Sequence, residues 1–196
     1  MFNLAKKLYG IPITEVPDAP KYNPEVTVYE LKDEKGEHVA IFMFDPYARD
    51  TKVQGAWMSE FQGACDYEGC SQRPIVFNVL NLAKPAEGEP TLLTLDEVQT
   101  VFHEFGHGLQ GMLTRAHYRG QAGTNVDRDC VELPSQINEK WATEPELLRE
   151  YALHYKTGEP MPQELMDKLL AAGKHNQGFM TCELAGAALL DLEWHM

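Results

Sequence analysis

Two histidines and a glutamate fall within five consecutive residues, His103-Glu104-Phe105-Gly106-His107. If this segment is helical, the two histidines lie about 40° apart around the axis and about 6 Å apart along it. Both imidazoles can then reach one metal ion, while Glu104 lies close enough to activate a water molecule. The spacing is therefore typical of a zinc hydrolase, although two exposed histidines on an amphipathic helix would show the same pattern.

A catalytic zinc ion takes three ligands from the protein and keeps its fourth position for water. The metzincin motif would require glycine at 110 and histidine at 113, but these positions hold Gln110 and Leu113, so that class is excluded. The remaining source of a third ligand is an acidic residue from a later helix. Glu132 lies near a predicted helix start, and by spacing alone it competes with Asp127, Asp129 and Glu139.

Further motifs occur in order along nearly the whole chain. They are Arg49, Lys52 and Gly55-Ala56-Trp57-Met58; Asn81-Leu82-Ala83-Lys84-Pro85; Phe102 to His107; Gly123-Thr124-Asn125 with Arg128-Asp129; and Val131-Glu132-Leu133-Pro134-Ser135-Gln136. Together they closely resemble the thimet oligopeptidase family of zinc peptidases, which includes neurolysin, oligopeptidase A and bacterial peptidyl-dipeptidase. Two more segments are most similar to the peptidyl-dipeptidase branch, namely Ile137-Asn138-Glu139-Lys140-Trp141-Ala142 and Ala188-Leu189-Leu190-Asp191.

The resemblance implies a set of roles at the site. His103, His107 and Glu132 would be the zinc ligands, which favours Glu132 among the acidic candidates, and Glu104 would be the general base and proton shuttle. The implied reaction is zinc-dependent hydrolysis of peptide bonds in short peptides. The similarity to the peptidyl-dipeptidase branch further implies that C-terminal dipeptides are released. One Zn²⁺ ion is the expected cofactor, and a short peptide is the expected substrate.

Other residues are expected to support this site. Ligating histidines usually donate their second ring N–H to a carboxylate or a backbone carbonyl. Asp129 and Glu139, which flank Glu132 in the sequence, are therefore predicted as such outer partners. Zinc peptidases of this kind also hold an extended substrate against the edge of a sheet. We expect Gly55 to Met58 to lie along that edge.

The elements that must position these residues change in character along the chain. Residues 3–9 predict a helix, 26–31 and 38–44 predict a hairpin, and 74–80 predicts a third strand, whereas 45–73 is interpreted as irregular. Thr94 and Glu97 match a capping box at the start of the motif helix. Further helices are predicted at 130–141, 144–156, 162–172 and 175–195. The predicted fold class is α+β, mainly helical, with a small N-terminal β-sheet; the resemblance implies a gluzincin-type zinc peptidase core.

The organisation of the chain is interpreted as one partial catalytic domain, 1–196. It comprises a small β-sheet region at 25–80 and a helical zinc-binding region at 94–196. Members of the family that it resembles are several-fold longer and carry a substrate-binding segment downstream of the zinc ligands, so the chain is expected to be a fragment truncated at both ends. The alternative function is a zinc- and peptide-binding fragment with little or no activity. Apolar surfaces exposed by truncation would favour a non-native dimer.

Composition excludes several other classes of protein. The 196 residues include 17 Lys and Arg against 30 Asp and Glu, a net charge of −13, which argues against nucleic acid and anionic membranes as partners. No apolar run in the sequence approaches the ~20 residues of a membrane helix. Four cysteines do not form a disulfide framework in a chain of this length. Free thiols would suit a cytoplasmic protein, with a Cys65–Cys70 disulfide as the open alternative.

Overall fold

The computed structural model describes residues 1–196, with the side chain of Cys70 outside the description. The chain forms two compact units, Met1–Ala142 and Thr143–Met196. In chain order the elements are α1 (Phe2–Tyr9), β1 (Ile13–Glu15), β2 (Thr27–Lys32), β3 (His38–Tyr47), β4 (Trp57–Gln62), β5 (Cys65–Tyr67), β6 (Cys70–Gln72), β7 (Ile75–Leu82), α2 (Leu95–Leu113), α3 (Leu133–Trp141), α4 (Pro145–Tyr151), α5 (Gln163–Ala172) and α6 (Gln177–His195).

A mixed five-stranded sheet forms the centre of the first unit, in the order β1-β2-β3-β7-β4. Strands β3 and β7 are parallel, and every other pair in this sheet is antiparallel. The predicted hairpin is confirmed as β2–β3, and its turn follows from local chemistry. The Asp33 carboxylate accepts hydrogen bonds from the backbone N–H groups of Lys35 and Glu37, and Gly36 has a positive φ of 81°. This turn fixes the register between β2 and β3.

Helix α2 packs on one face of this sheet. The capping box predicted at its start is present, because Thr94 accepts from the backbone N–H of Glu97 while the Glu97 side chain accepts from that of Thr94. The main core then forms from buried residues of α1, the sheet and α2: Ala5, Leu31, Ala40, Phe42, Val76, Phe105, Leu109 and Met112. Burial of these apolar side chains is the main contribution to the free energy that holds the motif helix on the sheet.

Glycines allow α2 to approach the sheet closely. A Cβ placed on Gly111 would lie 2.5 Å from Met58 Cε on β4 and 3.0 Å from Val76 Cγ2 on β7. At Gly108 a Cβ would lie 3.3 Å from the side-chain oxygen of Asn78. No side chain larger than hydrogen fits at Gly111 without displacement. The motif helix is therefore held directly against β7 and the edge strand β4.

The interpretation of residues 45–73 as irregular is wrong. This stretch contains β4 and the short hairpin β5–β6, each of which forms only through pairing with another strand. Strand β4 lies at the edge of the sheet, and its sequence, Trp-Met-Ser-Glu-Phe-Gln, has no β-branched residue to indicate a strand. The two strands of the small hairpin have three residues each, too few to show an alternating pattern.

The second unit contains α4, α5 and α6. The helix predicted at 144–156 ends earlier, at Tyr151, because the chain turns back through a bridge between Leu153 and Pro160, with Gly158 at a positive φ of 72°. Helices α5 and α6 lie within the ranges predicted for them. Among the described residues, no helix combines the length and the apolarity needed to cross a membrane.

Three cysteines, Cys65, Cys130 and Cys182, are free thiols. The alternative of a Cys65–Cys70 disulfide falls on a side chain outside the described part of the structure.

Candidate metal centre

The two motif histidines lie one turn apart on α2, as their spacing predicts. Their ring centroids are 4.8 Å apart and their planes are nearly perpendicular, at 82°. The His107 residue is buried, whereas His103 is partly exposed. Both Nε2 atoms face the same side, toward the beginning of α3. The helix thus presents two imidazole nitrogens to one point in space.

Glu132 completes the group from α3, where it is the residue that immediately precedes the helix. One oxygen of its carboxylate, Oε2, lies 3.2 Å from Nε2 of His103 and 3.1 Å from Nε2 of His107. The three ligand atoms lie within 4.8 Å of one another. The carboxylate that lies against both histidines is therefore that of Glu132, and not that of Asp127 or Asp129.

A glycine between the two histidines makes this convergence possible. A Cβ on Gly106 would lie 2.7 Å from the Cα atom of Ser135 and 2.9 Å from Asn138 Cβ, both on α3. The helices are joined further by Asn138, whose buried amide donates to the backbone oxygen of Phe102. Sequence reasoning missed both residues, although a glycine inside a predicted helix is a signal of close packing.

One of the predicted outer partners contacts a histidine. Oε1 of Glu139 accepts a hydrogen bond from Nδ1 of His103 at 2.5 Å. Asp129 makes no hydrogen bond to either histidine among the described residues. This contact holds Nδ1 of His103, and Nε2 is the ring nitrogen that faces Glu132.

Burial and hydrogen bonding shift the pKa values at this site in different directions. Burial raises the pKa of Glu104, an effect that the nearby His103 opposes and Glu132 reinforces. Burial lowers the pKa of His107, which favours its neutral form. A hydrogen bond from the Ser135 hydroxyl, at 2.8 Å, lowers the pKa of Glu132 and keeps it ionised. A neutral imidazole and an ionised carboxylate are the forms that bind metal ions.

The chemistry of these residues fits a zinc ion. Two imidazole nitrogens and one carboxylate oxygen form the ligand set of several zinc hydrolases. Glu104 adjoins them on α2; only 6% of its surface is exposed, and its Oε2 atom is buried without a hydrogen-bond partner among the described residues. A buried polar atom without a partner is uncommon. This buried carboxylate interacts electrostatically with two of the candidate ligands, His103 and Glu132.

The expected substrate edge corresponds to β4 in part. Strand β4 is the outer strand of the sheet, and its first residue is Trp57, within the expected segment Gly55 to Met58. Its inner neighbour is β7, with Trp57 opposite Val79. The other edge of β4 is not paired with a strand in the described structure. The backbone N–H and C=O groups on that side are therefore open to an added strand.

The fold and the site together define a class of protein: a mixed α and β chain with a two-histidine, one-glutamate group that could hold a metal ion. Comparison with known families narrows this class to one family, since residues 1–196 match Peptidase family M3. The chain belongs to this family of metallopeptidases.

Curated relatives match over the whole chain. It is 47% identical over 195 residues to a dipeptidyl carboxypeptidase of Escherichia coli, 42% identical over 197 residues to oligopeptidase A of the same organism, and 42% identical over 202 residues to a probable cytosolic oligopeptidase A of Arabidopsis thaliana. Each match covers 100% of this chain but only 28%, 29% and 29% of the respective relative. The chain thus spans less than a third of the length of these relatives.

Proposed function

We propose that this chain forms the gluzincin-type metal centre of a zinc peptidase that hydrolyses peptide bonds in short peptides. The observation that carries the proposal is the convergence of His103, His107 and Glu132 beside the buried carboxylate of Glu104, in a member of Peptidase family M3. Release of C-terminal dipeptides is the favoured mode, because a relative with 47% identity is named a dipeptidyl carboxypeptidase.

Each ligand would have a defined state before the reaction begins. His103 is oriented by Glu139, His107 is kept neutral by burial, and Glu132 is kept ionised by Ser135. Zinc bound by these three residues would polarise the scissile carbonyl and make water nucleophilic near neutral pH. The role of the protein is to hold three donors on two helices that cannot separate without breaking the packing at Gly106.

Glu104 would move the proton. Its carboxylate would accept the proton of the attacking water and then deliver it to the amine of the leaving peptide, a role that contributes about 10²–10⁴-fold to the rate. The burial that raises the pKa of Glu104 makes it a stronger base than an exposed carboxylate. No covalent bond between protein and substrate is required.

The substrate would lie along β4. An extended peptide that adds to the free edge of this strand forms backbone hydrogen bonds that do not depend on its side chains. Because α2 packs against β4 at Gly111, the peptide and the metal ligands would be held at a fixed separation. This arrangement suits an enzyme that acts on many short peptides.

The first test is metal content after dialysis against zinc. The wild-type chain should retain one zinc ion per molecule, and His103→Ala, His107→Ala and Glu132→Ala should each reduce this amount. Glu104→Gln should keep the zinc ion, because Glu104 is proposed as the base and not as a ligand. A wild-type chain that does not bind zinc would contradict the proposal.

The second test is hydrolysis of short peptides, followed by mass spectrometry of the products. Release of C-terminal dipeptides is expected, with the rate reduced about 10²–10⁴-fold in Glu104→Gln. Wild-type turnover in Glu104→Gln would refute the proposed role of Glu104 as the base. If the zinc-loaded chain binds peptide without cleaving it, the alternative function of a zinc- and peptide-binding fragment is supported instead.

A further inference from the structure

A side chain of β7 holds the segment that leads into β4. Asn81, near the end of β7, donates from Nδ2 to the backbone oxygen of Val53 at 2.8 Å and to that of Gly55 at 2.7 Å. These two carbonyls lie just before β4, which begins at Trp57. One amide therefore fixes the direction in which the chain enters the edge strand.

The backbone at this position has a conformation that needs support. Gly55 has a φ of 104°, which L side chains rarely adopt, and no heavy atom lies within 4 Å of the position that its Cβ would occupy. The glycine is thus required by the backbone conformation and not by lack of space. Because glycine samples more conformations than any other residue, the hydrogen bond from Asn81 to its carbonyl selects one of them.

A second anchor lies further back on the same segment. The ammonium group of Lys52 contacts the backbone oxygens of Asp45, Tyr47 and Leu80 at 2.5 to 3.0 Å, and it pairs with the Asp45 carboxylate at 2.9 Å. The Lys52 side chain is only 3% exposed, so this anchor belongs to the interior. Asn81 is the anchor nearer to β4 and the one that can be changed without leaving a buried charge.

We propose that Asn81 is a positioning residue for peptide binding: by holding the carbonyls of Val53 and Gly55, it keeps the start of β4 ready to pair with an extended peptide. This inference rests on the proposed function, in which the peptide adds to β4. Asn81 contacts neither the peptide nor the metal ion in this scheme. Its contribution is preorganisation, because a strand that is already ordered loses less entropy on binding.

In this scheme, zinc binding and peptide binding depend on different elements of the fold. The candidate metal ligands come from α2 and the start of α3, and Asn81 belongs to β7. Loss of the Asn81 bonds should therefore weaken peptide binding and leave zinc binding unchanged. A residue with only a structural role would weaken both together or neither.

The experiment uses the full chain loaded with zinc and a short peptide in which a methylene-amine group replaces the scissile amide. Asn81→Leu removes both donors at similar volume, and Asn81→Asp keeps the shape while replacing donors with acceptors. We expect about tenfold weaker peptide binding for Asn81→Leu and a loss at least as large for Asn81→Asp. Zinc affinity should stay within about twofold of wild type, and amide hydrogen exchange at 53–57 should become faster.

The matched control is Thr181→Val. The Thr181 hydroxyl also donates to a backbone oxygen, that of Gln177 at 2.8 Å, but it lies on α6 and not in the sheet. Its replacement should leave peptide affinity unchanged. If Asn81→Leu does not fold, Asn81→Asp and its hydrogen exchange decide the question.

Two results would overturn the inference. One is wild-type peptide affinity in the Asn81 variants, and the other is a parallel loss of zinc and peptide affinity. A wild-type chain that binds zinc but not the peptide would instead overturn the proposed peptide binding, and this inference with it. The two failures are therefore distinguishable.

Discussion

At the scale of single residues, the site depends on how each histidine is oriented. Nδ1 of His103 has a carboxylate partner in Glu139, whereas Nδ1 of His107 is buried without a hydrogen-bond partner among the described residues. The two histidines are thus held by different means, His103 by a hydrogen bond and His107 by packing. The orientation of His103 should therefore be the more sensitive to a single substitution.

Replacing Glu139 tests this directly. Glu139→Ala removes the acceptor of the His103 ring proton, so the imidazole can rotate, and the free energy of metal binding becomes less favourable. We expect zinc affinity to fall about 10- to 100-fold, measured by competition with a chelator of known affinity. Glu183→Ala, which removes an exposed carboxylate on α6, is the control and should bind zinc as the wild type does. Unchanged affinity in Glu139→Ala would show that this hydrogen bond does not support the ligand.

At the scale of secondary structure elements, the approach of α3 to α2 places Glu132 against the two histidines. Gly106→Ala introduces a methyl group 2.7 Å from backbone of α3, and the two helices must move apart. Overpacking of this kind costs about 1–3 kcal/mol, so we expect zinc affinity to fall by roughly ten- to hundredfold, as measured by calorimetry.

The control for this prediction is a glycine in an unrestricted part of a helix. At Gly186 in α6, no heavy atom lies within 4 Å of an added Cβ. Gly186→Ala should raise helix stability by about 0.5–1 kcal/mol without changing zinc affinity. If Gly106→Ala binds zinc as tightly as Gly186→Ala, close packing of the two helices is not what holds the ligands together.

A buried charge cluster joins the ends of β3 and β7. Asp45, 1% exposed, accepts hydrogen bonds from Arg49, Lys52 and Tyr22. Burial alone would raise its pKa, but these hydrogen bonds outweigh that effect and hold the pKa of Asp45 below its usual value. The ionised form therefore stabilises the fold above the unfolded-state pKa of about 3.9, and this contribution is lost as the pH falls through the folded-state pKa.

Asp45→Asn should therefore have a pH-dependent effect. At pH 7 it leaves the buried ammonium of Lys52 without its counter-charge, and we expect the free energy of unfolding to fall by on the order of 3 kcal/mol. The difference from wild type should shrink as the pH falls below about 4. Urea unfolding at pH 7, 5 and 3 measures this difference in the free energy of unfolding, with the variant Asp18→Asn, at an exposed position, as control. A difference that stays constant with pH would contradict the assigned pKa direction.

At the scale of the whole molecule, α6 is the most unusual feature. It is 19 residues long and has no buried residue, and its exposed apolar side chains include Phe179, Leu184, Leu189 and Trp194, the last 76% exposed. Apolar residues occur around the whole helix and not on one face. Large exposed apolar surfaces of this kind lead to association.

We therefore expect the 196-residue chain to self-associate, which is the dimer that the sequence analysis anticipates. Sedimentation velocity over a range of concentrations should show a shift toward larger species. Leu184→Glu should reduce self-association, because it places a charge on the apolar surface of α6. Asn3→Asp adds the same charge on α1 and should not reduce self-association. A chain that stays monomeric at all concentrations would show that α6 does not form an interface between copies.

Much of the site was predictable because it is local. The spacing of His103 and His107 requires only that the segment be helical, and the capping box at Thr94 and Glu97 together with the apolar periodicity indicated that helix. The turn at Asp33 to Gly36 likewise indicated the hairpin. In each case the decisive contacts join residues a few positions apart, so that short-range geometry is sufficient.

Other features required long-range packing. Strand β4 carries no strong strand pattern and becomes a strand only because β7 pairs with it. By spacing alone, Glu132 could not be separated from Asp127, Asp129 or Glu139.

The sequence by itself thus determined the candidate metal-binding pair and the proposed base, because these lie on one helix. The tertiary structure decided which carboxylate meets that pair and which one orients His103. The physical reason is the position of α3, which is set by contact with Gly106 across the helix interface and not by any pattern within α3 itself.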